Sequence, residues 1–411
     1  MADSTISTSS LASTTRGMRS VVFVNQNIGY CIYIGATSDI EYVKTTDGGK
    51  TWTVAADLVA GTIEAFDIWY DQWTPGDTGR NIHIFFIDGG TADEVLYSRF
   101  NTVNDAVLNS VVVVSLTSTV AGRGQFISGT KARGGNLYCA FDIDAGAEMG
   151  MYKSVNNGAS WSVMTSPMEA TIDQCKLFPA NVADPQDIWL LYQDASTDEL
   201  TLKEYDDSGN SYTESAEIGT SMAEETTDAT GQYGFDGSIR HSDGHLIVAF
   251  MSTYDAAGGS TTNFQVFDIN GTGSLTELTA IATGVDHIYY PQTFLNQDQP
   301  DWIYIAYLGV SAGTSTLTTS IPVVYALSKD RGLTWTKDIA MSTSTTDYRQ
   351  AWTPLNGERF LVVWMDISAV DLITNYNNSK EFGFTPLNNY QSVRATGQNN
   401  TGIINVGERI R

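Results

Sequence analysis

Positive charge is scarce: 22 Lys and Arg stand against 47 Asp and Glu in 411 residues, a formal net charge of −25. Nucleic-acid backbones and anionic membrane surfaces are bound by clustered Lys and Arg that displace counterions, so neither is expected as a partner. Cysteine is nearly missing. Cys31, Cys139 and Cys175 are too few and too scattered for a disulfide framework. They make no zinc-type spacing and sit in apolar runs where buried free thiols are expected. No apolar run approaches the ~18 residues of a membrane span, so no membrane insertion is expected. The opening MADSTISTSSLASTTRG has no apolar h-region, and no secretory signal is expected from it. Histidine is rare too: His83, His241, His245 and His287 form neither HExxH nor a Ser/His/Asp pattern. The acidic turns lack an EF-hand spacing, so no metal and no cofactor are expected.

What the chain does have is enough apolar (42%) and aromatic (11%) residues to bury a large core. From about Arg19 to about Leu387, short runs of β-branched and aromatic residues alternate with Gly, Asp, Asn, Ser and Thr clusters, and no helix pattern exceeds a turn or two. The class is all-β.

A recurring unit organises these runs. The segments IGYCIYI, NIHIFFI, NLYCAFDI, DIWLLYQ, HLIVAFM, WIYIAYL and RFLVVWM begin at Ile28, Asn81, Asn136, Asp187, His245, Trp302 and Arg359, at spacings of 53, 55, 51, 58, 57 and 57 residues. Continuous apolar runs suit strands buried on both faces, and a fixed period of this size marks stacked or radial repeats.

Three turns share one pattern, S/T-x-D/N-x-G-x-S/T-W: TTDGGKTW at residues 45–52, SVNNGASW at 154–161 and SKDRGLTW at 328–335. Asp47, Asn156 and Asp330 can accept backbone N–H bonds inside a tight turn, Gly49, Gly158 and Gly332 can take positive φ, and Trp52, Trp161 and Trp335 can pack under the hairpin. This pattern resembles the Asp-box of the bacterial neuraminidase repeat, the hairpin between the third and fourth strands of a β-propeller blade. Both the mechanics and the resemblance make these residues structural. The box starts lie 109 and 174 residues apart, two and three units, with decayed copies at residues 205–212, 268–275 and 375–382.

The expectation is a single seven-bladed β-propeller of four-stranded antiparallel blades over residues 19–387, with six blades as the alternative. Each unit is expected to supply its own four strands, the first from MRSVVFV and the last through EFGFTPL. Residues 1–18 read as an N-terminal extended tail. Residues 388–411 read as a C-terminal extended tail or assembly arm, in which IINV could add a strand to a neighbour's edge.

Chemistry in such a ring belongs where the innermost strands start, and the alignment puts Arg19, Glu64, Arg123, Asp173, Tyr233, Tyr289 and Arg349 there. The sialidases, which the Asp-boxes resemble, imply roles for them. Arg19, Arg123 and Arg349 would clamp a carboxylate, Asp173 would be acid/base, and Tyr289 with Glu64 the nucleophile pair. The chain departs from that family in reading GMRSVV around Arg19 in place of F/Y-R-I-P, and in seven units against the family's six blades. Arginines paired with the acidic excess around the channel are the other reading. FDIWYDQW adds a sugar-stacking candidate, Trp73 beside Trp69 and Tyr70, although aromatic strand residues also build cores. The candidate ligand-binding residues are thus Arg19, Arg123, Arg349, Tyr233 and Trp73. Catalysis is assigned to none; were the chain an enzyme, Asp173, Glu64 and Tyr289 would carry it.

An acidic, cysteine-poor, Ser/Thr-rich ring resembles bacteriophage virion proteins carrying such repeats. The function expected is a non-enzymatic structural or adhesion protein of a virion or extracellular surface. Its partners would be other assembly proteins, further copies of itself and a glycan on the ring face. The alternatives are a sialidase-like glycoside hydrolase and an intracellular protein-binding scaffold.

Overall fold

The computed structural model describes residues 3–7, 16–17, 19–53, 56–90, 94–115, 126–142, 150–164, 172–194, 199–219, 234–252, 263–271, 274–282, 289–309, 322–343, 348–366 and 371–375. Seven antiparallel sheets, each four strands deep from hub to rim, follow one another in a ring. They form a seven-bladed β-propeller, which settles the blade number against six. The chain divides into a compact unit Met1–Ser379 and a second unit Lys380–Arg411, the latter outside the described residues.

Blade 1 runs from an inner strand Val21–Phe23 through Gly29–Ile34 and Ile40–Thr45 to Ala56–Val59. Blade 2 comprises Ile63–Tyr70, Asn81–Asp88, Glu94–Asn101 and Ala106–Ser115, and blade 3 Phe126–Lys131, Leu137–Asp142, Gly150–Ser154 and Ser162–Val163. Blade 4 is Ile172–Pro179, Ile188–Asp194, Glu199–Asp206 and Ser211–Gly219, and blade 5 Phe235–Ile239, Leu246–Ser252, Asn263–Ile269 and Leu275–Glu277. Blade 6 is Tyr289–Asn296, Ile303–Leu308, Val323–Ser328 and Thr336–Ala340. The second strands are the apolar segments that set the repeat. Gly29–Ile34 and Ile303–Leu308 are buried at every residue, as sandwiching between neighbouring sheets requires.

Blade 7 departs from the expected plan. Its own strands are Tyr348–Trp352, Val363–Asp366 and Asp371–Thr374, and its outer edge is Ser4–Ser7, with Ser4 opposite Thr374 and Thr5 opposite Ile373. The ring is therefore closed by a strand shared between the two ends of the chain. Residues 4–7 are not a free tail, and the expected outer strand EFGFTPL lies outside the described residues. The cause is geometric: an antiparallel ladder across the seam ties the first and last blades together where packing alone would hold them. Asp3 adds to it, accepting hydrogen bonds from Thr343 N and Asn375 Nδ2.

Two further short strands reach inward. Arg16–Gly17 pairs parallel with Ala65–Phe66 on the hub edge of blade 2, and Asn356–Gly357 pairs parallel with Leu295–Asn296 on that of blade 6. Both satisfy inner-edge backbone groups and take up channel space. Among the described residues the only helix is one 3-10 turn, Asp71–Trp73, and no helix is long and apolar enough to cross a membrane.

Candidate functional site

The three S/T-x-D/N-x-G-x-S/T-W turns are locks between blades. In the first, Asp47 Oδ1 accepts the N–H groups of Lys50 and Thr51, Oδ2 accepts the Thr51 hydroxyl at 2.7 Å, and Gly49 N donates to Thr45 Oγ1. Asp330 repeats the arrangement with Thr334 and Ser328, and Asn156 with Ser160 and Ser154. Burial works against the Asp47 carboxylate, but the Thr51, Thr45 and Lys50 donors outweigh it and hold its pKa below the usual range.

The tryptophans pack at the seams, and Trp161 and Trp335 reach outside their own blades. Trp161 of blade 3 packs on Tyr97 and Phe85 of blade 2, with ring centroids 5.4 and 6.1 Å apart. Trp335 of blade 6 donates to the Thr279 carbonyl after blade 5 at 2.7 Å, and Trp52 packs on the cluster in which Val21, Cys31 and Val43 of blade 1 meet Leu361 and Val363 of blade 7. The box glycines make this approach possible. At Gly158, with φ +84°, a Cβ would stand 2.0 Å from the Tyr97 ring.

Two intervening seams use a different lock. Asp105 in the blade 2 hairpin accepts from Tyr30 Oη at 2.7 Å and Lys44 Nζ at 2.6 Å, a cross-strand pair in blade 1. Asp207 in the blade 4 hairpin accepts from Tyr138 and Lys153, the equivalent cross-strand pair in blade 3. Asp207 therefore does not act as a box aspartate, as residues 205–212 had suggested. Asp206 holds that turn, accepting from Gly209 N and Ser208 Oγ.

A polar belt fills the hub. Arg19 is 2% exposed; its Nη1 meets Asp67 Oδ2 at 2.9 Å and the Gly129 carbonyl at 3.0 Å, and its Nη2 meets the Leu177 carbonyl at 3.1 Å. The guanidinium carbon lies 4.9 Å from the Trp69 ring centroid and 5.2 Å from that of Phe178. Asp67 also accepts from Gly129 N and Ser128 Oγ, and Ser128 Oγ accepts from Leu177 N. Lys176 of blade 4 pairs with Asp236 of blade 5, whose Oδ2 accepts from Thr293 N in blade 6. Ser238 of blade 5 donates to the Leu355 carbonyl in blade 7. Two buried cations thus balance two buried anions, and the inner strands are tied from blade to blade. Burial pushes the Asp67 carboxyl up, against the pull of Arg19 and Gly129 N–H, and pulls the Lys176 ammonium down, against Asp236.

This overturns the ligand-binding role expected for Arg19: its guanidinium is spent on three blades of its own ring. Trp73 is corrected likewise. It is 1% exposed, at the end of the blade 2 inner strand away from its start, and packs edge-on to Trp69 and Tyr70. It offers no open stacking face. Glu64, Asp173, Tyr289 and Arg349 do fall in the first two residues of the inner strands of blades 2, 4, 6 and 7. Glu64 is half-buried there; the side chains of Asp173, Tyr289 and Arg349, together with Arg123, Tyr233 and His287, lie outside the described residues.

At the opposite end of the ring, an open groove of about 430 Å³ runs along the seam of blades 1 and 7. It is lined by Asn25, Gln26, Asn27 and Ile28 from the first turn of blade 1, Thr46 from its TTDGGKTW turn, and Glu358 of blade 7. A recess of about 30 Å³ shares Asn25 and Glu358 and adds Gln72, Trp73, Gln297 and Asn356 toward the axis. The turn is preset, since Asn25 Oδ1 accepts the N–H groups of Asn27 and Ile28. Burial raises the Glu358 carboxyl, and the charge of Asp298 adds to it, while Gln26 N–H opposes. Sequence reasoning missed these residues because it looked for a site at the starts of the inner strands, and residues 25–28 follow the end of one. The hub charges were legible in hindsight, as lone charged residues inside apolar inner strands: FDIW, QCKLF and FDGS.

Among the described residues, no group of three or more His, Cys, Asp or Glu is placed to hold a metal ion. The buried acid–base cluster of Asp71, His83 and Tyr97 is structural. His83 Nε2 meets Asp71 Oδ1 at 2.8 Å, its Nδ1 meets Tyr97 Oη at 2.7 Å, and Lys131 of blade 3 caps the same carboxylate.

No family model and no curated protein matches the chain. Solved structures do. An ulvan lyase, from a new family of polysaccharide lyase, is similar over 90% of this chain and 94% of its own, with a TM-score of 0.53 and 12% identity. A hydrazine synthase of Kuenenia stuttgartiensis is similar over 88% and 95%, with a TM-score of 0.52 and 8% identity. At these identities the likeness establishes the fold, and the chain is a β-propeller similar in architecture to these proteins.

Proposed function

We propose that this chain is a non-enzymatic recognition module that binds a glycan in the seam groove of blades 1 and 7, as a component of a virion or an extracellular surface assembly. The carrying observation is the groove's lining. Gln26 and Asn27 present planar amides, each a donor and an acceptor, and Asn25, whose Oδ1 is spent on the turn, keeps its amide NH2 as a donor, beside the Thr46 hydroxyl and the Glu358 carboxyl group. Neighbouring sugar hydroxyls ask for such alternation. An open, preset cleft suits binding without the enclosure that catalysis uses to exclude water.

The second reading, a sialidase-like hydrolase, keeps one observation in its favour: Glu64, Asp173, Tyr289 and Arg349 begin inner strands at the same end of the ring. It has lost Arg19 from its carboxylate clamp. A glycan array probed with the full chain tests both. The groove reading expects retention of a glycan that weakens about tenfold in Gln26→Ala combined with Glu358→Ala, since each hydrogen bond is worth about 0.5–1.5 kcal/mol. Unchanged retention in that variant, or retention of no glycan, refutes it. Turnover of a fluorogenic sialoside, abolished in Arg349→Ala, would establish the hydrolase. Mass spectrometry of purified particles tests the setting.

A further inference from the structure

Among the described residues seven large apolar side chains stand exposed, and four of them, Val103, Val107, Leu108 and Val112, belong to the rim of blade 2. The last three lie on its outer strand, Ala106–Ser115, which reads AVLNSVVVVS. Ten residues long, it has no Lys, Arg, Asp, Glu or Pro, and it is the terminal strand of its sheet. Proteins protect such edges by keeping them short or charged. The other rims obey: Ala56–Val59, Ser162–Val163, Leu275–Glu277 and Ser4–Ser7 have at most four residues. The longer Ser211–Gly219 includes Glu214 and Glu217, and Thr336–Ala340 includes Lys337 and Asp338. Two register shifts twist the blade 2 rim but leave its outward backbone groups unpaired by any described strand.

The chain also contains a complementary segment. In Lys380–Arg411, four Lys and Arg face two Asp and Glu, the reverse of the balance in the rest of this acidic protein. Within it, Ile403, Ile404, Asn405 and Val406 form a β-prone run between Gly402 and Gly407.

We propose that residues 403–406 of one copy add a fifth strand to the Ala106–Ser115 edge of a second copy. Main-chain hydrogen bonds supply the pairing, Val107, Leu108 and Val112 supply apolar contact, and the basic arm is drawn to an acidic ring. The contact is heterologous, so it propagates into a ring or a filament. The inference rests on the assembly half of the proposed function and is independent of the glycan groove.

Sedimentation velocity of the full chain tests it over a wide concentration range. The expected result is a mass that grows beyond 44.7 kDa with concentration. Leu108→Lys with Val112→Lys on the edge, and separately Ile404→Lys in the arm, should each weaken assembly at least about tenfold while keeping the native circular dichroism spectrum. In a second measurement, Val112→Cys combined with Ile404→Cys should give reductant-sensitive covalent multimers under mild oxidation. Cys31, Cys139 and Cys175 are fully buried and do not compete. Assembly unaffected by both sets of lysines, or a cysteine pair that closes within one copy, overturns this inference alone. A full chain that stays monomeric throughout overturns it together with self-assembly as part of the function.

Discussion

Replacing Arg19 with Met separates a structural hub from a ligand clamp. The guanidinium is 2% exposed and its partner Asp67 is fully buried, so water does not take over when the cation is removed. Asp67 would keep Gly129 N–H and Ser128 Oγ but lose its charged partner, and two backbone carbonyls, of Gly129 and Leu177, would lose their donor. Breaking a buried ion pair from one side costs about 3–5 kcal/mol. For a unit of roughly 380 residues, the unfolding entropy near Tm is about 0.8 kcal/mol per degree, so the expected fall in Tm is about 4–6 °C. Differential scanning calorimetry measures it. The double variant Arg19→Met with Asp67→Leu should recover most of the loss, because it removes the stranded charge as well. Glycan retention in the seam groove should be unchanged in both. A Tm shift below about 1 °C for Arg19→Met would refute the hub argument. Loss of binding with no loss of stability would return Arg19 to the role of a clamp.

Two smaller perturbations probe the seams and the charge balance. Gly158→Ala should destabilise by about 2 kcal/mol or more, because it strains a position at φ +84° and drives a methyl into the Tyr97 ring; denaturant unfolding with an unchanged midpoint would contradict that. Asp187 has its carboxyl pushed up to about 6 by burial, with Asp184, Asp206 and Glu204 adding and the Asp207 N–H opposing. The folded value lies above the unfolded ~3.9, so its contribution is complete below about pH 4 and is lost as pH rises through 6. Asp187→Asn should therefore raise Tm at pH 7.5, by about 1 kcal/mol of stability after solvent screening, and should have no effect at pH 4. An equal gain at both pH values would show that the charge is not the cause.

The fold was readable because one strand in each unit is buried on both faces. Such a strand must be apolar at nearly every position, with an exception such as His83 held by its own partners, and seven such runs at near-constant spacing give the blade number directly. Ser4–Ser7 was unreadable for the opposite reason: STIS is short and polar, and its role as the rim of blade 7 comes from a partner 370 residues away, Thr374 opposite Ser4. The same holds for function. Arg19 and Asp67 were each noticeable as residues, but only their approach across 48 positions of sequence turns a candidate clamp into a neutralised pair. Trp73 failed as a stacking platform because strand alternation says little at the 3-10 turn that ends the blade 2 inner strand, and there the ring folds inward against Trp69.

The locks between blades also leave the turns free to carry the proposed binding surface. At the seams between blades 2 and 3, and 5 and 6, a hairpin of the recurring pattern lays its Trp on the preceding blade, and Trp52 packs on the cluster that blades 7 and 1 share. Between blades 1 and 2, and 3 and 4, a hairpin carboxylate takes a Tyr–Lys pair of the preceding blade. Both devices act near the rim, and the belt through Arg19, Asp67, Lys176 and Asp236 acts at the axis, so each blade is held at two radii. A sheet fixed in this way does not depend on the turn between its inner and second strands for stability. Residues 25–28 are such a turn, and that freedom would let one seam carry the amides of the proposed groove while the ring around it keeps its geometry.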